Sequence, residues 1–347
     1  MTASAPEAPE APAPEVAGPA AAGRRLAGSP AVRLVGKRLL LAVPILLGVS
    51  VLTFWVLNLV PGDTAQQLLG ADATPKQVAA LRTELGLDRP APARYLDWLG
   101  AAVQGDLGKS PVSDQSVTGM IGGRLALSGE LVGLAFVISV VAAIAVALYA
   151  AHRPNGFFDR LSMIVSVTGL SVANYVLALL LVWLFAVRMA VLPAIGYVPW
   201  SHGAGPHLRS LILPVVAIAF PIFCLYTRFL RGDLVDQLQG EDYIVTARAK
   251  GIPARQVLLR HAFRNSSFGL ITLVGLNLGT LIGSTVIIEQ IFALPGIGQL
   301  MLQAINTRDF VVVQGCVIVF AVVAVLANLL ADLLYAVLDP RIRYGSR

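Results

Sequence analysis

Four histidines and two cysteines are all that this 347-residue chain offers for metal or thiol chemistry, and their spacing suits neither. His152, His202, His207 and His261 are scattered without a ligand repeat, so no metal site is expected. Cys224 and Cys316 each sit inside an apolar run, as small buried hydrophobes do, and imply no disulfide framework. Gly108-Lys109-Ser110 matches the tail of a phosphate-binding loop, but the first glycine of that pattern would fall at Val103. The chain therefore carries no ATP site of its own, and any use of ATP must come from a partner.

The regular polar pattern lies elsewhere. Residues 242–265 read Asp-Tyr-Ile-Val-Thr-Ala-Arg-Ala-Lys-Gly-Ile-Pro-Ala-Arg-Gln-Val-Leu-Leu-Arg-His-Ala-Phe-Arg-Asn, a basic segment between two very apolar helices. An Ala-rich turn, a Gly-Ile-Pro break and a second basic helix start follow one another. Tyr243–Lys250 can form a short helix, in which Ala247 and Ala249 permit close approach while Arg248 and Lys250 add charge. Gly251 allows a bend that a residue with Cβ would strain, and Pro253 prevents uninterrupted continuation. Val257–Asn265 leads into the next helix, with Arg260, His261 and Arg264 near the membrane surface. The chemistry is that of docking: a helix offered to another protein. The plainer alternative is a positive anchor with no partner.

Composition sets the surroundings. Hydrophobic residues make up 56% of the chain and charged residues 13%, against about 25% charged in soluble domains. A bilayer core needs roughly 20 apolar residues per helix. Six stretches qualify: Leu39–Val60, Leu131–Ala151, Leu161–Val187, Leu211–Thr227, Ser266–Ile288 and Phe310–Ala331. The fourth is the shortest and is interrupted by Pro214 and Pro221, which neighbouring helices can accommodate. With the N-terminus inside, 17 of the 26 Lys and Arg residues fall on inner segments. Six of the other nine sit in the 61–127 loop beside seven acidic residues. The positive-inside rule then puts both termini in the cytoplasm. The net charge of +6 is a topology signal and not a nucleic-acid patch.

The expected architecture is thus an all-α polytopic membrane protein of six transmembrane helices. Residues 1–30, rich in Ala, Pro and Glu, form a disordered cytoplasmic tail. The first helix occupies 31–62, a small extracytoplasmic helical subdomain 63–120, the core 121–338 and a cytoplasmic tail 339–347. Within the subdomain, 73–87 reads as a helix with Thr74 as N-cap, Pro75 at its first position and Gly86 near its end. Tyr95–Leu99 makes a second short helix.

In the fifth span Gly275, Gly279 and Gly283 fall at roughly 0°, 40° and 80° around the helix, and Asn277, Thr280 and Ser284 at roughly 200°, 140° and 180°. The glycines permit close helix packing. The polar side is a candidate lining for a translocation path, or a set of interhelical hydrogen bonds. Ser171 and Asn174 in the third span are similar candidates. Glu130 at the outer interface could simply be solvated, and Asp332 near the inner end of the last span could snorkel.

These segments resemble the inner-membrane permeases of binding-protein-dependent ABC importers, in the dipeptide/oligopeptide branch. The resemblance rests on 242–265, on Val60-Pro-Gly-Asp63, on Gly105-Asp-Leu-Gly-Lys-Ser110 and on Glu289-Gln-Ile-Phe-Ala-Leu-Pro-Gly-Ile-Gly-Gln299 with Arg308-Asp309-Phe310. It spans roughly residues 33–345. The general motif places Glu-Ala-Ala ahead of the glycine where this chain has Val245, Thr246 and Ala247, and the family often has proline near Ala173.

The resemblance implies a non-catalytic subunit in the bacterial plasma membrane that forms the path for di- or oligopeptides. Its partners would be a second homologous permease, two ATPases holding ATP and Mg, and an extracytoplasmic binding protein. Tyr243, Ala247, Arg248, Lys250, Gly251 and Pro253 would couple to the ATPases. Permeases for nickel or glutathione share this type. An ion-coupled transporter would instead need ionisable groups near mid-membrane, where these spans are nearly charge-free. An intramembrane protease would need a Ser/His or Asp/Asp pair. No histidine falls in the six stretches, and Asp332 has no second carboxylate.

Overall fold

The computed structural model describes residues 30–59, 64–70, 73–84 and 86–338. The tail at 1–29, the 60–63 stretch and the end at 339–347 lie outside the described residues. Among these, regular structure is helical apart from one isolated bridge between Lys109 and Ser116. Five of the described helices are long and apolar enough to cross a membrane, or six if one pair bent at a short break counts as a single span.

Helix α1, Pro30–Leu59, carries the first span. The outer subdomain follows as α2 (Thr64–Leu69), α3 (Pro75–Glu84) and α4 (Ala91–Val103). The capping signal at α3 is realised in full. The Thr74 N–H and hydroxyl donate to Gln77 Oε1 at 2.9 and 2.8 Å, and the Gln77 N–H returns to Thr74 Oγ1 at 3.4 Å. Beyond the expected short helix, α4 docks on α1 through a hydrogen bond of 2.8 Å between the Tyr95 and Ser50 hydroxyls.

Helix α5, Val117–His152, is far longer than its apolar stretch. Its first turns are Gly-rich and lack the hydropathy of a span. They stay helical because Val117 and Ile121 are buried against Leu107, Ile297, Leu300 and Val312.

The third span is broken. Helices α6, Phe157–Ser171, and α7, Asn174–Arg188, meet at 108° across Val172 and Ala173, both of which are extended. The Leu161–Val187 stretch is thus bent at its middle, near Ala173, and α7 ends in a π-helical turn, Val182–Arg188.

The fourth span is the reverse case. Helix α8 runs without a break from Ala204 to Gly240, 37 residues including Pro214 and Pro221. Half of its apolar window is buried, the largest share of the five long helices, so neighbours hold the turns that the prolines weaken. Helix α9 (Asp242–Ala249) follows at once, then α10 (Ala254–Ile291), α11 (Ile297–Asn306) and α12 (Phe310–Leu338). Helix α8 is the central post. Its middle packs with α5, α7 and α10 through Leu131, Ala135, Ala178, Ile218 and Leu281. Its far end packs with α5, α9 and α10.

Candidate functional site

The 242–265 segment folds as its residues dictate. In α9, Ile244 is fully buried and Ala247 is 5% exposed. Spaced three apart, they share one face and meet Leu230 and Leu234 of α8, Ala143, Ala147 and Ala151 of α5, and Val257, Leu258 and Ala262 at the start of α10. This end lies beyond the apolar part of the spans, where burying a side chain such as Ile244 is worth about 1.5–3 kcal/mol. The opposite face is open: Val245 is 61% exposed, Tyr243 37%, and Arg248 and Lys250 are exposed.

Polar contacts fix the seat. The Tyr243 hydroxyl donates to Gln237 Oε1 of α8, which also accepts from Asn265 Nδ2 of α10 at 2.9 Å. One amide thus joins three helices. Partial burial and the nearby Glu241 carboxylate raise the Tyr243 pKa, which keeps that hydroxyl a donor. Arg248 Nη2 donates to the Leu238 carbonyl at 3.1 Å.

The helix ends in a Schellman motif. Gly251 takes φ +76°, its N–H reaches the Arg248 carbonyl at 2.9 Å, and the Ile252 N–H reaches the Ala247 carbonyl at 3.2 Å. Pro253, extended, then accepts from the Gln256 and Val257 N–H groups at 2.8 and 3.1 Å and opens α10. The bend at Gly251 and the restart at Pro253 are where the sequence puts them. Ala247 faces the chain itself, whereas Tyr243, Arg248, Lys250 and Gly251 are on the open side.

The polar residues of α10 bond within their own helix. Asn277 Nδ2 donates to the Leu273 carbonyl at 2.8 Å, Thr280 Oγ1 to Asn277 at 2.7 Å and Ser284 Oγ to Leu281 at 2.7 Å. Each spends its donor on its own helix, so this face does not bond across to another helix of the chain through these donors. Ser171 does the same, bonding Val167 at 3.0 Å, and with Asn174 it flanks the α6/α7 break. Helix α7 packs against α10, which sets the two groups on neighbouring elements. Of the three glycines, only Gly275 packs closely, since a Cβ there would lie 3.0 Å from Ala331. A Cβ on Gly279 or Gly283 would meet nothing within 4 Å in this chain.

The helices outrun their apolar stretches and so carry ionisable groups that hydropathy left outside them. Glu289, fully buried near the end of α10, accepts from Ser128 Oγ at 2.7 Å and from the Gln299 N–H at 3.1 Å. Ser128 in turn accepts the Ile297 N–H at 2.9 Å. The carboxylate thereby serves the N-terminus of α11, where helix N–H groups lack partners. Gly296 and Gly298 admit this approach: a Cβ on Gly296 would sit 2.2 Å from the Glu289 carboxyl, and one on Gly298 2.5 Å from Val286 Cα.

Ser110 donates to Asp309, tying the outer loop to the start of α12. Glu130 is not free in solvent, because its Oε1 lies 2.8 Å from His207 Nε2 in α8. The ring's Nδ1 meets the Val198 carbonyl at 2.7 Å, and Trp200 stacks on the ring at 4.2 Å. Asp332 pairs with Arg38 of α1, with Nε 2.8 Å from Oδ2. The sequence pointed to none of these ties.

The chain matches two family profiles. One, described as the binding-protein-dependent transport system inner membrane component, covers residues 140–344, and the N-terminal profile of such membrane components covers 31–122. A putative peptide transport system permease protein of Brucella abortus is 40% identical over 311 residues, 90% of this chain and 99% of that protein. A glutathione transport system permease protein of Pectobacterium atrosepticum is 37% identical over 308 residues, 89% of this chain and 98% of the relative. A probable peptide ABC transporter permease of Sinorhizobium fredii is 35% identical over 308 residues, with the same coverage.

Proposed function

Because the chain belongs to the family of binding-protein-dependent transport system inner membrane components, we propose that it is a permease subunit of an ATP-driven importer in a bacterial plasma membrane. Its substrate class is di- or oligopeptides, a reading supported by relatives at 40% and 35% identity whose names specify peptide transport. Glutathione, named for the relative at 37%, is itself a small peptide and falls within that class.

The observation that carries the reading is the split character of α9. One face is bolted to α5, α8 and α10 through Ile244 and Ala247, and the other presents Tyr243, Val245, Arg248 and Lys250 to a partner. Two ATPases, which bind ATP and Mg, would receive that face. A second homologous permease would complete the path, and a binding protein would load it from outside. This subunit makes and breaks no covalent bond. The excess of Lys and Arg on the α9 side supports a topology with that end and both termini in the cytoplasm. ATP-driven closure of the ATPases then pushes α9, and α8 and α10 carry the push into the spans.

The test is gentle purification of the tagged chain with identification of what accompanies it, followed by uptake in vesicles. Recovery of ATPase chains and a second six-helix subunit, with ATP-dependent peptide uptake, is expected. Recovery of this chain alone, transporting without ATP, would overturn the proposal.

A further inference from the structure

We propose that Asp159 and Arg231 form a strut that makes α6, the first half of the broken span, move as one body with α8 and therefore with α9. The proposal rests on the reading of α9 as the ATPase contact and names positioning residues for that stroke. Arg231 lies in α8 eleven residues before Asp242, about 16 Å along the helix from where α9 begins. Its Nε donates to Asp159 Oδ1 at 2.7 Å and its Nη2 to Oδ2 at 2.6 Å. The side chains are 18% and 3% exposed, so water competes little for either. Oδ2 also accepts the Asn155 N–H at 2.8 Å, in the corner between α5 and α6 where Asn155 takes φ +65°. One carboxylate therefore locks that corner, the first turn of α6 and the post α8 together.

A second clamp lies further along α6. A Cβ on Gly169 would stand 2.4 Å from Cys224 Sγ and 2.8 Å from Phe220 Cε1, so the two helices touch there at backbone range. Ten residues separate Asp159 from Gly169, about 15 Å of helix. A helix held at two points that far apart cannot pivot on its neighbour. The chain breaks immediately beyond the second clamp, at Val172 and Ala173, and α7 departs at 108°. A stroke on α8 is thus delivered to the break itself, which Ser171 and Asn174 flank.

Stability alone does not account for such a pair. A buried ion pair adds little over apolar side chains of similar volume. What the two-pronged guanidinium–carboxylate contact adds is a fixed direction and register.

The test uses the assembled importer with its ATPases and binding protein. In the first measurement, Ile164→Cys on α6 and Gln239→Cys on α8, both exposed, carry spin labels, while native Cys224 and Cys316 are buried. With the ion pair intact, the label separation stays constant between nucleotide-free and ATP-trapped states. A separation that changes between those states overturns the strut. In the second, the paired change Asp159→Asn with Arg231→Gln removes both charges together, so that no lone buried charge remains. Peptide taken up per ATP hydrolysed then falls about tenfold, within the range of ordinary coupling energies, while hydrolysis continues. Arg231→Lys keeps the charge but not the fork and gives an intermediate ratio. An unchanged ratio, or uptake and hydrolysis falling together with the amount of assembled protein, makes the pair merely structural and overturns the proposal. Where the double variant does not assemble, the label separation decides alone. Absence of ATP-dependent uptake in the unsubstituted assembly would instead refute the importer reading, while the label separation reports on the strut alone.

Discussion

Replacing Gly251 isolates the backbone from every contact around it. The residue holds φ +76°, and a Cβ built there meets nothing within 4 Å. Substitution by alanine therefore causes no clash, and its whole cost is that of putting an L-residue in the left-handed region, about 1–2 kcal/mol. That cost falls on the conformer in which the Gly251 N–H and Ile252 N–H close α9 onto the Arg248 and Ala247 carbonyls. If docking needs that conformer, the competent population drops about 5–30-fold, and ATP-dependent peptide uptake in reconstituted vesicles drops with it. Asparagine, which enters this region with less strain, should recover most of the loss, whereas valine should be worse than alanine. Expression and insertion should be unaffected, because the strain sits outside the spans. Uptake by the alanine variant within about twofold of the original (roughly 0.4 kcal/mol), or an asparagine variant as impaired as alanine, would refute the reasoning.

Three further outcomes are expected. Glu289→Gln exchanges one acceptor for an amide donor between Ser128 and the Gln299 N–H, leaving a buried donor unpaired at about 1–3 kcal/mol. It should lower the melting temperature, and an unshifted melt would mean that the carboxylate does not hold α11. A thiol at Val245, 61% exposed, should react with maleimide in the folded isolated subunit, while one at Ala247, 5% exposed, should react only after denaturation. Equal rates would contradict the seating of α9. Asn277→Leu should change peptide uptake without changing co-purification of the ATPases, because its amide bonds only within α10. An unaltered rate would remove that face from the path.

The sequence was most legible where local chemistry decides the backbone. Thr74 with Gln77 predicts the start of α3, and Gly251 with Pro253 predicts one bend and one restart, since caps and glycine conformers are settled within a few residues. Periodicity also placed the polar and glycine sides of α10, but it could not say that Gly279 and Gly283 face open space while Gly275 meets Ala331. That depends on where α12 crosses. The break at Val172 and Ala173 carries no proline or glycine, so its sharpness is not written locally, whereas the two prolines of α8 sit in an unbroken helix, as the accommodation by neighbours requires. In both places packing outweighs propensity, because neighbours supply what the backbone lacks. Glu130, Asp159, His207 and Glu289 were invisible as partners because each finds its match far away in the chain. Arg231, for example, lies 72 positions from Asp159.

The same packing explains why α8 suits the transmission of force. A proline inside a free helix costs about 3 kcal/mol or more, so a helix that keeps two and stays continuous must be braced along its length. Pro214 is buried, and between it and Leu234 the helix is lined by Val215, Ala217, Ile218, Cys224, Tyr226 and Leu230, all buried. Its first turns hold His207 against Glu130 and the Val198 carbonyl, and its last turns hold Gln237 and Leu238 against α9 and α10. One rod of 37 residues, about 55 Å, therefore reaches from α9 to the opposite end of the bundle with no loop between. A loop in its place would absorb displacement through its own soft dihedrals. A braced rod passes displacement on, and a joint able to turn it into a change of shape is the bent corner at Val172 and Ala173.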